Sequence, residues 1–208
     1  MAGKSRKETM AETRQKLLAA GRKAFGTIGY AASSMDDFTA EAGLTRGALY
    51  HHFGDKEGLL RAVIEEIDSE MSERLLAISV KAPTRWQGLV DEWIAYIEMA
   101  LEPEIQRIMF RDGPAVLGDL SQWPNANACI MALKSNLDAV KAEGQLIDLD
   151  TEVAARLING ASTHAATWIA GADDPEETSR RAVAGFRALL ESLRVSATDL
   201  EGAAKARR

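Results

Sequence analysis

Cysteine is almost absent from this chain, which has a single one, Cys129, among its 208 residues. One cysteine cannot form an internal disulfide, and it has no cysteine partners with which to build a Cys-rich metal site. Proteins without disulfides are typical of reducing compartments. We therefore expect a cytoplasmic location.

Long apolar runs are absent as well. A charged residue interrupts every apolar stretch well before the ~20 residues that a membrane span needs. Residues 1–14 mix charged and small side chains and contain no apolar core of a signal peptide. We expect neither a membrane span nor export.

Runs of alternating apolar and polar residues, which would indicate strands, are also missing. Apolar residues recur instead at intervals of three and four, as they do on one face of a helix. The composition, 46% hydrophobic and 27% charged, is ordinary for a globular protein. These features together predict an all-α fold.

Catalytic and metal-binding motifs are scarce. The chain has no Glu-x-x-His pair for a di-metal bundle and no nucleophile motif, and Cys129 has no obvious base beside it. His51 and His52 point about 100° apart on a helix and lack a third ligand for a metal ion. We expect no catalytic residue, metal or cofactor, which leaves a helical enzyme as an alternative with little support.

Charge is present but unevenly distributed. The whole chain has a formal net charge of -6, yet the part up to Ala62 has ten basic and seven acidic residues. The head is therefore mildly basic and the remainder strongly acidic. This division favours a protein that binds a polyanion at one end only, although chance variation of surface charge is the alternative.

Helix start and stop signals divide the N-terminal part. A first helix has its apolar stripe at Leu17, Leu18, Gly21, Phe25 and Ile28 and ends near Gly29. Ser34, with Asp37 three positions later, is typical of the start of a second helix, which ends at Gly43. Thr45 caps a very short third helix through His51 or His52, so two helices meet across a tight turn.

Asp55 caps a long fourth helix. Later helices are predicted at residues 86–101, 104–111, 127–143, 151–170 and 175–195, with breaks at Pro83, Gly113-Pro114, Trp123-Pro124, Gly144 and Gly171.

Residues 34–53 have the pattern of a helix-turn-helix, whose second helix enters the major groove of DNA. Leu49 and Phe53 face inward, while small Gly47 and Ala48 let the backbone approach the bases. Arg46 can donate two hydrogen bonds to guanine; the alternative is a solvent-exposed side chain without a DNA contact. Packing on the first helix is the alternative for Tyr50, and an ordinary solvated charge is the alternative for Lys56. The predicted DNA contacts are Ser34, Met35, Thr45, Arg46, Gly47, Ala48, Tyr50, His51, His52 and Lys56.

The same segment resembles the tetracycline-repressor (TetR) family of bacterial regulators. The matching positions are Phe25, Gly29-Tyr30, Ser33-Ser34, Ala42-Gly43-Leu44-Thr45, Gly47-Ala48-Leu49-Tyr50, His52-Phe53, Lys56 and Leu59-Leu60. The resemblance covers roughly residues 11–67 and implies phosphate contacts from Ser34, Tyr50, His52 and Lys56, with base contacts from Met35 and the start of the third helix. Phe38-Thr39 departs from the commoner Ile-Ala, so the fit between helices two and three is expected to differ. The Thr39 hydroxyl can bond back to its own helix.

Large, adaptable side chains are dense in the remainder of the chain. Such groups line pockets for apolar or planar ligands, although each is individually more typical of a core. The predicted effector-binding residues are Trp86, Trp93, Tyr96, Met99, Phe110, Trp123, Met131, His164 and Trp168.

The last two long helices have a wide apolar stripe with small residues that permit close helix approach. Two helices from each of two subunits would form a four-helix interface, the usual arrangement in the family that the chain resembles; the alternative is that the stripe covers its own domain. The predicted dimer residues are Val153, Leu157, Ala161, Ala165, Ala182, Phe186, Leu189 and Leu193.

These interpretations give one organisation. We expect a disordered N-terminus at 1–8, a helix-turn-helix DNA-binding domain at 9–55, a helical effector-binding and dimerisation domain at 56–196, and a tail at 197–208. The predicted function is a homodimeric repressor that a small apolar or aromatic effector releases from a palindromic operator. A DNA-binding regulator without an effector remains the alternative.

Overall fold

The computed structural model describes residues 5–118, 123 and 126–195. The described residues form ten α-helices joined by short turns, one 3-10 turn and one π-helix. An isolated antiparallel bridge between Leu146 and Arg194 is the β-pairing among them. The predicted all-α fold, with an N-terminal helix-turn-helix and a C-terminal helical domain, is confirmed.

Helix α1 (Arg6–Thr27) begins earlier than we expected. Ser5 and Glu8 form a complete capping box, in which the Ser5 backbone N–H donates to the Glu8 carboxylate at 2.7 Å. Because this cap satisfies free amides at the helix end, residues 6–8 are helical and the prediction of disorder over 1–8 is wrong for them. Residues 1–4 and the predicted tail at 197–208 lie outside the described residues.

Three helices follow in the N-terminal part: α2 (Met35–Ala42), α3 (Arg46–Phe53) and α4 (Lys56–Ser79). The predicted cap of α4 is present, because the Asp55 side chain accepts the Gly58 N–H at 2.7 Å. A Cβ on Gly58 would lie 1.9 Å from the Phe53 carbonyl oxygen. Glycine at this position therefore allows the first turn of α4 to lie close to the last residue of α3.

The middle of the chain contains α5 (Arg85–Glu98), a 3-10 turn (Met99–Leu101), α6 (Pro103–Ile105), a π-helix (Gln106–Asp112) and α7 (Gly113–Leu117). The predicted break at Gly113-Pro114 is wrong, since helical backbone continues through it. Pro114 lies in the first turn of α7, directly after the π-helix. Proline is over-represented in the first turn of helices. We call α6, the π-helix and α7 together the 103–117 segment.

The C-terminal part contains α8 (Ala126–Ala142), α9 (Thr151–Gly171) and α10 (Pro175–Glu191). Their starts agree with the predicted ones to within one residue, but α10 ends before the predicted residue 195. Val195 donates its N–H to the Gln145 carbonyl at 3.0 Å, and Ile147 donates to Leu193. The end of the chain's described part thus pairs with the α8–α9 connection instead of continuing the helix.

The chain divides into two compact units. The first contains residues 1–72 together with 100–118, and the second contains 73–99 together with 119–208. The first unit is therefore larger than the predicted domain 9–55, because it includes most of α4 and the 103–117 segment. Its core consists of fully buried side chains from α1 to α4 and the π-helix, among them Leu17, Phe25, Phe38, Leu49, Leu59 and Ile108.

The second unit is built around α5, which packs against α8, α9 and α10. Apolar side chains at three- and four-residue spacing along α5 are buried: Trp86, Leu89, Val90, Trp93, Ile94 and Ile97. A Cβ on Gly88 would lie 2.7 Å from the Ser79 carbonyl oxygen, so glycine permits the end of α4 to pass close to α5.

Candidate nucleic-acid interface

The tight turn between α2 and α3 is fixed by local caps at both ends of each helix. Ser34 accepts the Asp37 N–H at 3.2 Å and donates its hydroxyl to the Asp37 carboxylate at 2.6 Å. Gly43 ends α2 in the left-handed conformation, with φ of 65°. Thr45 then accepts the Ala48 N–H at 3.3 Å. The hydroxyls of Ser34 and Thr45, predicted as DNA contacts, are exposed and also hold these helix ends.

Aromatic packing holds α2 against α1. The Phe38 ring lies edge-on to Phe25, with 5.2 Å between ring centres, and Phe38 is fully buried. The unexpected Phe at this position therefore anchors the helix pair. Thr39 donates its hydroxyl to the Met35 and Asp36 carbonyls, both at 3.1 Å, which confirms the predicted bond to its own helix.

Helix α3 buries Leu49 and leaves its other faces open. Arg46, Gly47, Tyr50 and His51 are exposed, while the remaining predicted contacts Met35, Ala48, His52 and Lys56 are half-buried. A Cβ on Gly47 would meet nothing closer than the Thr45 hydroxyl at 3.8 Å. Its φ is not positive either, so neither packing nor backbone conformation within the chain requires glycine here. The missing side chain leaves a shallow surface that an outside partner can approach.

Arg46 is paired within the chain. Its guanidinium donates two hydrogen bonds to the Asp36 carboxylate on α2, and both side chains are exposed. The pair raises the pKa of Arg46 and lowers the pKa of Asp36. Arg46 must therefore release Asp36 before it can present the same edge of its guanidinium, Nε and Nη2, to another anion or to a base.

Lys56 points inward, toward the first unit's own backbone. Its ammonium donates to the Ser33 carbonyl at 2.6 Å and lies 4.1 Å from the centre of the Tyr30 ring. Burial lowers the pKa of Lys56. The side chain therefore ties the start of α4 to the loop before α2, and its predicted phosphate contact stays a prediction.

The two adjacent histidines differ in their surroundings. Their ring centres lie 5.3 Å apart, and His51 is exposed whereas His52 is half-buried. Burial lowers the pKa of His52, and the nearby His51 and Arg14 lower it further. Across residues 5–118, 123 and 126–195, no group of three or more His, Cys, Asp or Glu side chains is arranged so that it could hold a metal ion.

The 103–117 segment binds the C-terminal half of α1 through charged contacts that sequence reasoning missed. Arg22 donates to Glu104 at 2.8 and 2.9 Å, and also to Glu66 and Glu70 of α4. The Glu104 and Glu70 carboxylates raise the pKa of Arg22. A cavity of about 590 Å³ adjoins the cluster, lined in part by Ala19, Gly26 and Pro103.

Two further contacts complete this attachment. Arg107 donates to the Thr27 carbonyl at the end of α1, and Asp112 accepts the Tyr30 N–H at 2.7 Å. The partners lie about 80 residues apart in the sequence. No local spacing signals such pairs, so only the three-dimensional structure identifies them.

The predicted effector residues do not share one environment. Trp86, Trp93 and Met99 are buried, and Tyr96 lies beside Trp93 with 6.0 Å between ring centres. Phe110 is buried in the first unit, whereas the other eight residues belong to the second. Trp123 is half-buried, and Met131, His164 and Trp168 are exposed. These last three residues therefore lie outside the core of the second unit, and their predicted contact with an effector stays a prediction.

Trp86 also has polar contacts within the second unit. Its indole N–H donates to Glu191 at 3.2 Å, and the Arg194 guanidinium lies 5.9 Å from the ring centre. These contacts attach the end of α10 to the start of α5. A buried indole with its donor satisfied has the properties of a structural residue.

The predicted dimer residues divide between two faces of α9 and α10. Val153, Leu157 and Leu189 are exposed, at 51%, 68% and 61%. Ala161 and Leu193 are half-buried, whereas Ala165, Ala182 and Phe186 are buried in their own unit. The prediction that these last three face a second subunit is thus wrong, because their side of each helix packs on α5 and its neighbours. Trp168 joins the exposed side, with Arg181 5.8 Å from its ring centre.

Two profiles of known families match the chain. The profile described as "Bacterial regulatory proteins, tetR family" matches residues 17–63, and the one described as "Tetracyclin repressor-like, C-terminal domain" matches residues 86–193. Residues 5–16 lie before the start of both matches. Residues 100–118 lie within the second match, although they pack in the same compact unit as the helix-turn-helix.

Individual relatives agree with the profiles. The chain is 24% identical to the transposon Tn10 TetC protein of Escherichia coli, over 90% of this chain and 95% of that one. It is 31% identical to the transcriptional regulator AcrR of Shigella flexneri over 52% of this chain, and it spans about half of that relative's length, 51%. A crystal structure of a TetR-family transcriptional regulator from Pectobacterium atrosepticum is 48% identical, with a TM-score of 0.84, covering 93% of this chain and 99% of that one.

No helix in the described part of the chain is long and apolar enough to cross a membrane.

Proposed function

The chain belongs to the TetR family of bacterial transcriptional regulators, and on that basis we propose that it is a homodimeric repressor which a small-molecule effector releases from a palindromic operator. Each protomer inserts α3 into the major groove, with its first residues nearest the bases. The two recognition helices of the dimer contact half-sites about one turn of DNA apart.

The exposed surface of α3 is the observation that supports DNA binding most directly. Arg46, Gly47 and Tyr50 lie together on it, and Gly47 leaves open space where any other residue would place a side chain. A helix that must fit a groove about 12 Å wide benefits from a small residue at its point of closest approach. Arg46 supplies the two parallel N–H groups that match the acceptors of guanine.

Footprinting tests this part of the proposal. Purified full-length protein should protect a palindromic site in the intergenic DNA upstream of its own gene at moderate salt. If no site is protected there, and none is recovered by selection from random-sequence duplexes, the proposal fails. Protection of two half-sites on the same face of the duplex is the expected result.

The exposed apolar residues of α9 and α10 support a homodimer. Val153, Leu157 and Leu189 expose large apolar side chains on long helices that also contain small residues such as Gly160 and Gly185. A Cβ on either glycine would meet nothing within the chain. A second copy that packs its own α9 and α10 there would bury these side chains. Sedimentation of the purified protein should give the mass of a dimer.

Release by an effector requires a path from the effector domain to α3. The 103–117 segment supports such a path, because it belongs to the profile of the C-terminal domain and yet holds α1 through Glu104 and Arg107, and the turn after α1 through Asp112. An effector that prefers one position of this segment shifts α1 and α4 with it, up to the limit of its differential affinity for the two states.

A thermal-shift screen with apolar and aromatic small molecules tests the effector. A molecule that binds the folded state raises the melting temperature, and a true effector also weakens operator binding. Arg22→Met removes the contacts of α1 with Glu104 of the 103–117 segment. The effector should then still raise the melting temperature of this variant but no longer weaken its binding to the operator. If no molecule in a broad screen shifts the melting temperature, a regulator without an effector becomes the better account.

A further inference from the structure

The first three turns of α1 extend beyond the part of the helix that is packed. Every residue from 5 to 12 is exposed, and the first buried side chain of α1 is Leu17. The capping box of Ser5 and Glu8 stabilises this end without help from neighbouring elements. We call residues 6–16 the α1 overhang.

One face of the overhang is cationic. At 100° per residue, Arg6, Lys7, Met10 and Arg14 lie along the same stripe that Leu17, Leu18, Gly21 and Phe25 continue into the core. Glu8 and Glu12 lie on the opposite side of the helix. The face that is apolar and buried in the second half of α1 is therefore basic in the overhang. It is exposed at Arg6, Lys7 and Met10, which is 41% exposed, and half-buried at Arg14.

This face is continuous with the surface of α3. The Arg14 guanidinium lies 5.2 Å from the centre of the Phe53 ring, and Phe53 is the last residue of α3. Arg14 also contributes to the lowered pKa of His52, so its charge acts on the recognition helix itself. Beyond Arg14 the stripe leads away from α3 through Met10 to Lys7 and Arg6.

We propose that the α1 overhang is a second DNA contact, in which Arg6, Lys7 and Arg14 bind the phosphate backbone of the duplex that flanks each half-site. This inference rests on the proposed DNA-binding function and extends the surface beyond the helix-turn-helix. Charge complementarity and continuity with α3 select DNA as the occupant. The overhang precedes the residues that the family's N-terminal profile matches.

Contacts to phosphate have a measurable electrostatic consequence. Each neutralised phosphate adds about 0.9 to the slope of the logarithm of affinity against the logarithm of salt concentration. Loss of two cations from each protomer of a dimer should therefore reduce that slope by about 3 to 4. Because phosphate contacts are independent of base identity, the preferred sequence should not change.

The test compares the wild type with the double variant Arg6→Gln/Lys7→Gln. Glutamine keeps a high helix propensity, so circular dichroism should show α1 unchanged. The control is Lys81→Gln/Arg85→Gln, which removes two exposed cations from the second unit. Each protein is titrated on the footprinted operator as a duplex of about 20 base pairs and again with about 10 flanking base pairs, one turn, on each side.

The wild type and the control should bind the longer duplex on the order of tenfold more tightly at moderate salt, with the steeper salt slope. The double variant should bind both duplexes alike, at the affinity of the wild type for the short one. Equal slopes and equal flank dependence for the wild type and the double variant would overturn the overhang contact while leaving the helix-turn-helix function intact. Failure of the wild type to bind either duplex would instead overturn the proposed function, and the overhang contact with it.

Discussion

The protein has two exposed surfaces of opposite chemistry. The surface formed by α3 and the α1 overhang is polar and cationic, with an open glycine at its centre, whereas that of α9 and α10 exposes Val153, Leu157 and Leu189. Water solvates cations readily but large apolar side chains poorly, so the two surfaces require different partners. A polyanion fits the first, and the apolar face of a second copy fits the second.

The largest effect is expected at the apolar surface. Leu157→Arg/Leu189→Arg would place four charges in each dimer interface, and burying unpaired like charges is costly. We expect a monomer with normal helicity that binds the operator at least about a hundredfold more weakly, because the second half-site no longer adds to the first. Sedimentation and operator titration measure the two losses. Ser135→Arg, exposed on α8, is the matched control, and a double variant that remains dimeric would contradict the interface.

Gly47→Leu tests whether the glycine of α3 is required for DNA binding and not for folding. Leucine is about 0.5–1 kcal/mol better than glycine inside a helix, so the free protein should melt about 1–4 °C higher. Operator affinity should nonetheless fall by about a hundredfold, since the side chain occupies the closest approach to the bases. Ala142→Leu, exposed on α8, adds a similar volume and should leave affinity unchanged. If Gly47→Leu binds normally, α3 does not enter the groove in the proposed orientation.

Asp36→Asn tests the pairing of Arg46. Water screens this exposed ion pair, so releasing Arg46 should strengthen operator binding only modestly, by about fivefold at most for each half-site. Glu41→Gln removes the same charge from the same helix and also breaks an exposed ion pair, that with Lys23 of α1, but it leaves Arg46 paired. Its effect therefore measures what charge removal does without the release of Arg46. Filter binding or anisotropy at one salt concentration distinguishes the two variants. Weaker operator binding by Asp36→Asn would mean that Asp36 orients Arg46 for the bases.

The smallest effect is expected from His52 and pH. Its pKa is already lowered from 6.5 in the free protein, so folding stability falls as the pH drops through 6.5 and the unfolded chain takes up the proton. A phosphate beside the ring would raise the pKa of His52 in the complex. Operator affinity should therefore rise a few-fold as the pH drops through 6.5. Affinity titrations at several pH values test this, with His52→Gln expected to flatten the profile. His164→Gln, exposed in the second unit, should keep it.

Local signals predicted the helix-turn-helix closely. Ser34, Gly43 and Thr45 act through hydrogen bonds that span three or four residues, so their effect is readable from spacing alone. The same holds for the Asp55 cap of α4 and for the buried position of Leu49, which follows from helical periodicity.

Assignments that required knowing which elements meet were less accurate. Periodicity identified α9 and α10 as broadly apolar but not which side of each faces α5, so Ala165, Ala182 and Phe186 were assigned outward. The aromatic inventory likewise could not separate buried Trp86 and Trp93 from exposed Trp168. A helix with apolar residues on much of its circumference has no single inward face in the sequence.

The sequence by itself determined the helix-turn-helix, its caps and the family, because the caps depend on neighbours within one or two turns. The tertiary structure alone decided that Lys56 turns to the Ser33 carbonyl, that Arg46 is held by Asp36, and that the 103–117 segment attaches to α1. Charged groups have many candidate partners of similar affinity in an unfolded chain. Only the packing of the core brings one of them within hydrogen-bonding distance.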